Sequence, residues 1–308
     1  MPIRPPVALI AGSTASGKSA LALELAERCG GVIINADSAQ IYRDLPLLSA
    51  APSEEERSRA EHRLYGVRDG ADPCSAADWA SLARTEILDV QASGRLPILV
   101  GGTGLYLLTL LDGIAPVPRI KAEIREQVRT SPVEENRRRL AELDPGAATR
   151  LNPADTTRIA RSLEVVLSSG RPLADWQSQR KGGIGSKIAL QPLILLPPRQ
   201  WLYARCDERF ARMVDGGAID EVERLLDRKL APSLPVMRAI GVREISAFLT
   251  GEISREQAVA RGQQATRNYA KRQYTWFAHQ PPAHWPRFSE GLGNATTGHA
   301  LALLQPKA

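Results

Sequence analysis

Cysteine is scarce in this 308-residue chain, and Cys29, Cys74 and Cys206 stand far apart with no close pair among them. That spacing excludes a disulfide framework and a cysteine-based zinc site, and it points to a reducing compartment. Histidine is equally sparse: His62, His279, His284 and His299 show no metal-ligand spacing, and His62 alone draws attention. No apolar stretch approaches the roughly 18 residues needed to cross a membrane, and the early run Val7–Ala11 has no small-residue cleavage site behind it. A cytoplasmic globular protein is expected, neither secreted nor membrane-embedded. Neither sign of charge dominates, since 40 Lys and Arg face 34 Asp and Glu for a net +6. That excess permits a polyanionic partner without requiring one. There is no internal repeat or low-complexity block. The 43% hydrophobic content suffices for a packed core over about two domains' length.

Against these absences stands one complete motif. Gly12, Ser13, Thr14, Ala15, Ser16, Gly17, Lys18 and Ser19 spell a G-x-x-x-x-G-K-S phosphate-binding loop directly after the apolar run Val7–Ala11. A buried strand, a glycine-rich turn and a helix starting near Lys18 form the context in which such a loop works. The amides of residues 14–19 form the expected phosphate cradle, Lys18 a point charge for terminal phosphates, and Ser19 a hydroxyl suited to Mg²⁺. By itself the loop predicts a nucleotide such as ATP. A nucleotide-hydrolysing machine also needs an acid at a neighbouring strand end. The strand Leu96–Val100 runs instead into Gly101, Gly102 and Thr103, which weakens that reading.

Short Val/Ile-rich strands at 7–10, 31–35 and 96–100 alternate with helices beginning near Lys18 and Ser75, the rhythm of a parallel sheet wrapped by helices. Ligands of such sheets bind beyond the strands' carboxyl ends. Residues 12–19, 37–40 and 101–103 therefore share one rim. After Pro116–Pro118 the chain turns to polar helices at 119–129, 134–143 and 155–167, and a strand at 188–196 rejoins the sheet. Helices follow at 203–215, 220–227, 238–249 and 255–277, and the last twenty residues read as loose. The predicted fold is α/β, a P-loop NTPase-like parallel sheet flanked by helices, with an inserted all-helical subdomain and a helical C-terminal region. The predicted parts are 1–118 for the first part of the core, 119–187 for the insertion, and 188–308 for the rest.

On the rim, Asp37 follows a buried strand and can serve as general base, as metal ligand, or as the N-cap of a following helix. Ser38 and Gln40 offer hydrogen-bonding groups to a planar base beside it. Thr103 offers a hydroxyl where paired glycines let a ligand approach the backbone, or simply marks a tight turn. Arg209 can clamp a leaving group or sit in a surface ion pair. Residues 255–287 hold six Arg and Lys against the single acid Glu256, together with five aromatics. Arg267, Lys271 and Tyr274 lie on one helical face. Such a stripe fits nucleic-acid backbone contact, or a plainly solvated basic face, with Arg272 beside it.

Taken together, Gly12–Ser19, Asp37–Tyr42, His62–Tyr65, Val100–Tyr106, Thr157–Arg161, Ala239–Arg243 and Ala265–Gln273 resemble, in order, the motifs of bacterial tRNA dimethylallyltransferases. One segment departs: Leu48-Ser-Ala-Ala-Pro52 stands where that family has Gly-Thr-Ala-Lys-Pro. No Cys/His zinc module follows Trp276, as in the short bacterial form. The resemblance implies transfer of a dimethylallyl group from dimethylallyl diphosphate to the exocyclic amine of an adenosine next to the anticodon, in a chain expected to be a monomer. It implies Asp37 as base, and Lys18, the loop amides, Arg209 and Mg²⁺ on Ser19 as stabilisers of the leaving diphosphate. Asp37, Ser38, Ala39, Gln40 and Thr103 would then contact the reacting adenosine. Arg125, Thr157, Arg158, Ile159, Ala160 and Arg161, with Arg238, Arg243, Arg267, Lys271 and Arg272, would hold the tRNA anticodon stem-loop. The competing class is a small-molecule or nucleoside kinase, which leaves the basic helix idle; an RNA-binding nucleotide switch would leave Asp37 idle.

Overall fold

A computed structural model describes residues 4–304. The chain divides into two compact units, Met1–Leu110 with Gly185–Ala308, and Leu111–Ile184. In chain order the first unit runs β1 (Pro6–Gly12), α1 (Lys18–Cys29), β2 (Val32–Asn35), α2 (Glu54–Arg59), β3 (Glu61–Arg63), α3 (Ala76–Ala92), β4 (Pro97–Gly101) and α4 (Gly104–Asp112). The second unit holds β5 (Gly113–Ile114), α5 (Ala122–Thr130), α6 (Val133–Leu143), α7 (Pro145–Arg150), α8 (Thr156–Ser169), α9 (Leu173–Gln177) and β6 (Lys181–Gly182). The first unit resumes with β7 (Ala189–Leu195), α10 (Arg199–Met213), α11 (Ile219–Asp227), α12 (Val242–Leu249), α13 (Arg255–His279), β8 (Arg287–Phe288) and α14 (Asn294–Ala302).

The strand order is β3-β2-β4-β1-β7-β8, and every pairing is parallel. The central strand β1 is a run of small and β-branched residues, and Val7–Ala11 are completely buried, as a sheet covered on both faces requires. Helices begin where a side chain can satisfy the first free amides. Ser53, Ser75 and Ser254 each form a capping box, with Glu56, Asp78 and Gln257 respectively.

The second unit packs α5 to α8 around Val128, Leu140, Ala147, Ile159 and Leu163. Glu164 is buried there and is answered by Arg129 at 3.0 Å and Arg161 at 3.7 Å. Its two ends are joined by the antiparallel pair β5 and β6.

Three expectations need correction. The helix expected over 238–249 is broken by Gly241 at φ 98°, so a 3₁₀ turn at Val236–Arg238 precedes α12. The helix expected over 203–215 starts earlier, after Pro198, and widens at Val214–Ala218 around Gly217 at φ 108°. The tail expected to be loose forms β8 and α14 as far as it is described; residues 305–308 lie outside the described residues. Ala300, Leu301 and Leu304 are buried in one cluster with Leu21, Ala22 and Phe288, and that burial outweighs the glycines. We expect Leu301→Ala to lower the urea unfolding free energy by about 2–3 kcal/mol, the usual scale for a truncated buried leucine. A midpoint equal to that of the parent would show the tail to be dispensable.

Candidate active site

The turn after β1 is shaped by two left-handed residues, Ala15 at φ 61° and Gly17 at φ 94°. They roll the chain into the start of α1 and bury Lys18, whose Nζ donates to the Ser13 carbonyl at 3.3 Å. Burial pulls the Lys18 ammonium down to about 8; Asp37 opposes that shift and Arg209 adds to it. The Ser13 and Ser16 hydroxyls are buried and, among the described residues, find no hydrogen-bond partner. Buried hydroxyls of that kind are costly unless a ligand answers them. Two amides of the expected cradle are engaged: Thr14 donates its N–H to Gln273 Oε1 at 2.8 Å, and Ser16 donates to the Ser13 carbonyl at 3.3 Å. The Thr14 hydroxyl accepts from Arg209. No carboxylate pairs with Arg209 among the described residues, since Asp207 is taken by Arg267. Arg209 is therefore no surface ion pair, and burial lowers its pKa.

Opposite the loop, Asn35 closes β2 and acts as a splint. Its Oδ1 accepts the Asp37 N–H at 2.7 Å, and its Nδ2 donates to the carbonyls of Asp37 and Leu64, both at 3.0 Å. Asp37 caps no helix, because α2 begins only at Glu54, capped by Ser53; its Oδ1 accepts the Ala39 N–H in a local turn. Oδ2 accepts no hydrogen bond among the described residues. The Thr103 hydroxyl accepts the Ser38 N–H at 3.0 Å and donates to Ser38 Oγ at 3.2 Å. Tyr269 reaches this corner from α13. Burial raises its phenol, the Asp37 charge adds to the shift, and a hydrogen bond with the Thr103 side chain opposes it.

Several of these residues line a cavity of about 310 Å³. Thr14, Asp37, Ser38, Arg209, Tyr269 and Arg272 line its polar end, and Tyr42, Leu45, Leu48, Tyr106, Phe210, Met213 and Val236 form apolar walls. A small hydrocarbon attached to an anion matches such a division. Most wall residues escape sequence reasoning because they come from several segments, 42–48, α10 and 235–240 among them. Tyr106 and Gln273 do sit inside quoted motifs, which was the available signal.

Other predicted residues are placed differently. Gln40 donates its Nε2 to the carbonyls of Ser49 (3.0 Å) and Ala50 (2.6 Å), which commits the donor side of that amide within the protein. Ser19 is exposed and faces a separate recess of about 30 Å³ with Glu56 and His62, away from Asp37. On α13 the basic stripe is partly consumed: Arg267 pairs with Asp207 and Arg255 with Asp215, while Lys271 stays exposed and Arg272 lies over Tyr269. Arg238 lines the cavity, and Arg243 is exposed. In the second unit Arg125, Thr157 and Arg158 are exposed. Ile159 points inward as core and Ala160 packs beside it, because helical periodicity turns them away from the face of Arg158.

The fold and rim define the class: a P-loop-type α/β protein whose loop opens onto a partly apolar cavity. The sequence profile described as IPP transferase matches residues 40–280. The tRNA dimethylallyltransferase of Erythrobacter litoralis is 63% identical over 289 residues, 92% of this chain and 91% of that protein. The crystal structure of the full-length tRNA isopentenylpyrophosphate transferase of Bacillus halodurans superposes with a TM-score of 0.70 at 29% identity, covering 98% of this chain and 97% of the other. A eukaryotic dimethylallyltransferase captured acting on tRNA gives a TM-score of 0.76 at 29% identity, covering 88% of this chain and 69% of that one. The chain belongs to the IPP transferase family. Members of that family use a divalent metal. Among the described residues no cluster of three His, Cys, Asp or Glu side chains exists to cage one. The single hydroxyl of Ser19, with the Glu56 carboxylate lining the same recess, fits a cation carried mainly by a ligand's own oxygens.

The buried lysine has a measurable cost. Unfolded, it keeps its proton to about 10.5; folded, it releases it at about 8, so the folded state is penalised at pH 7 and the penalty fades between those values. We expect Lys18→Met to raise stability at pH 7 by about 3 kcal/mol, the equivalent of two to three pKa units, and to flatten the rise of stability between pH 8 and 10. Urea titrations across that range check this; a destabilised variant would contradict it.

Proposed function

We propose that this chain transfers a dimethylallyl group from dimethylallyl diphosphate to the N6 amine of an adenosine adjacent to the anticodon of tRNA. The observation that carries the reading is one cavity with a free carboxylate oxygen, a guanidinium on the phosphate loop and a hydrocarbon wall. The amine nitrogen bonds to the first allyl carbon as the bond from that carbon to the diphosphate oxygen breaks. Its proton passes to Asp37 Oδ2. An aromatic amine is a poor nucleophile, so both proton removal and leaving-group stabilisation matter.

Lys18, Arg209 and the buried hydroxyls of Ser13 and Ser16 meet the diphosphate as its charge develops, in a site whose dipoles are already in place. Mg²⁺, held by Ser19 and the diphosphate, would supply further charge neutralisation. Tyr42, Tyr106, Phe210 and Met213 shelter the allyl group from water, which would otherwise capture the cation-like carbon. Thr103 and Ser38 orient the adenine edge; a loop base reaches them at low unstacking cost. Arg125, Thr157, Arg158, Arg161, Arg238, Arg243, Lys271 and Arg272 supply backbone contacts. A tRNA substrate and three unpaired cysteines support a cytoplasmic site of action; no helix among the described residues is long and apolar enough to cross a membrane. No observation favours a kinase.

With Mg²⁺ and radiolabelled dimethylallyl diphosphate, the protein should label an anticodon stem-loop bearing the target adenosine; an unlabelled RNA would refute the assignment. Asp37→Ala should keep the affinity for the stem-loop within about threefold while lowering the single-turnover rate by about 10²–10⁴. Loss of RNA binding with an unchanged rate would make Asp37 structural.

A further inference from the structure

Gln273 is a neutral polar side chain that joins the loops after β1 and β4. It stands on α13, is 6% exposed, and comes from a segment remote in sequence from both of its partners. Its Oε1 accepts the N–H of Thr14 at 2.8 Å, and its Nε2 donates to the carbonyl of Gly102 at 2.8 Å. The fit is close, since a Cβ on Gly102 would lie 2.3 Å from that nitrogen. On one side Thr14 carries the hydrogen bond from Arg209. On the other, Gly102 precedes Thr103, whose hydroxyl is bonded twice to Ser38 beside Asp37.

We propose that Gln273 is a positioning residue for the transfer reaction, setting the separation between the leaving-group loop and the Asp37–Thr103 corner; this rests on the function proposed above. Arg209, Thr14, Gln273, Gly102, Thr103 and Ser38 form one connected path, in which Gln273 bridges the two loops. The demand is specific to a primary amide, which carries a donor and an acceptor on one rigid plane. A glutamate has no donor for the Gly102 carbonyl when ionised. A methionine of similar length leaves both the Thr14 N–H and the Gly102 carbonyl buried and unpaired. Because reacting groups must meet within a fraction of an ångström, a loop displaced by about 1 Å costs on the order of 10²-fold in rate.

The test compares Gln273→Met and Gln273→Glu with the parent in the full chain. Measured quantities are the single-turnover rate, the KM for the stem-loop, the affinity for inorganic pyrophosphate, and the thermal midpoint. We expect the rate to fall about 10²-fold and pyrophosphate affinity about tenfold, with the KM for the stem-loop within twofold and the midpoint within a few degrees. Rates within threefold of the parent overturn the proposal. So does a fall in rate that travels with equal losses of RNA binding and thermal midpoint, which marks a merely structural side chain. If the parent transfers no prenyl group, the proposed function fails, while unchanged or weakened pyrophosphate binding in the variants still decides the role of Gln273.

Discussion

The backbone of Ala36 passes so close to Gly101 that a Cβ at position 101 would lie 2.1 Å from the Ala36 carbonyl. No side chain can occupy that space, and the rest of the rim depends on this contact. Beyond the last regular pairing of β2 with β4, Ala36 still donates to the Val100 carbonyl at 2.7 Å, and Thr103 donates back to the Ala36 carbonyl at 3.2 Å. Two loops that would otherwise splay apart are thereby laced together as they leave the sheet. Asp37 and Thr103 emerge side by side after β2 and β4, and β4 lies next to the strand β1 that carries the phosphate loop. Preorganisation here is a property of backbone hydrogen bonds, with a glycine as its precondition.

The site is electrostatically unbalanced without an anion. Lys18 and Arg209 are both desolvated, and Asp37 is the one carboxylate that acts on each. Burying two cations with one anion costs the folded protein free energy that packing must offset. The unpartnered hydroxyls of Ser13 and Ser16 add to that cost. Local choices that disagree with stability gather at functional sites. In the proposed reaction a diphosphate would answer the lysine, the guanidinium and both hydroxyls at once.

Local signals account for what the sequence made legible. The phosphate loop was readable because strand, turn and helix follow one another within two dozen residues, and Asp37 because it ends an apolar run. Most of the cavity wall was not readable: Leu48, Phe210 and Val236 belong to three segments that meet only in the folded chain. Long-range partners also reassigned chemistry. Gln40 was read as a base-facing amide, yet its donor goes to Ser49 and Ala50; Arg267 was read as an RNA contact, yet Asp207 holds it. The tail misled in the opposite sense. Its glycines suggest disorder, while the burial of Leu301 and Leu304 depends on α1, which lies at the other end of the sequence.

The segment that departs from the family pattern, Leu48–Pro52, shows how a lost charge is accommodated. Glu221, 3% exposed, accepts the N–H groups of Leu47 and Leu48 at 2.7 and 2.8 Å, and Gln40 holds the carbonyls of the two residues that follow. Both the donors and the acceptors of this turn are thus satisfied by protein groups. That leaves Leu45 and Leu48 as cavity wall, with Leu48 filling the space above Gly241 where a Cβ would lie 2.8 Å from it. Positive charge for a diphosphate already stands on the loop side, in Lys18 and Arg209. The turn Leu48–Pro52 thus holds its shape through Glu221, Gln40 and packing on Gly241, with no charged side chain of its own.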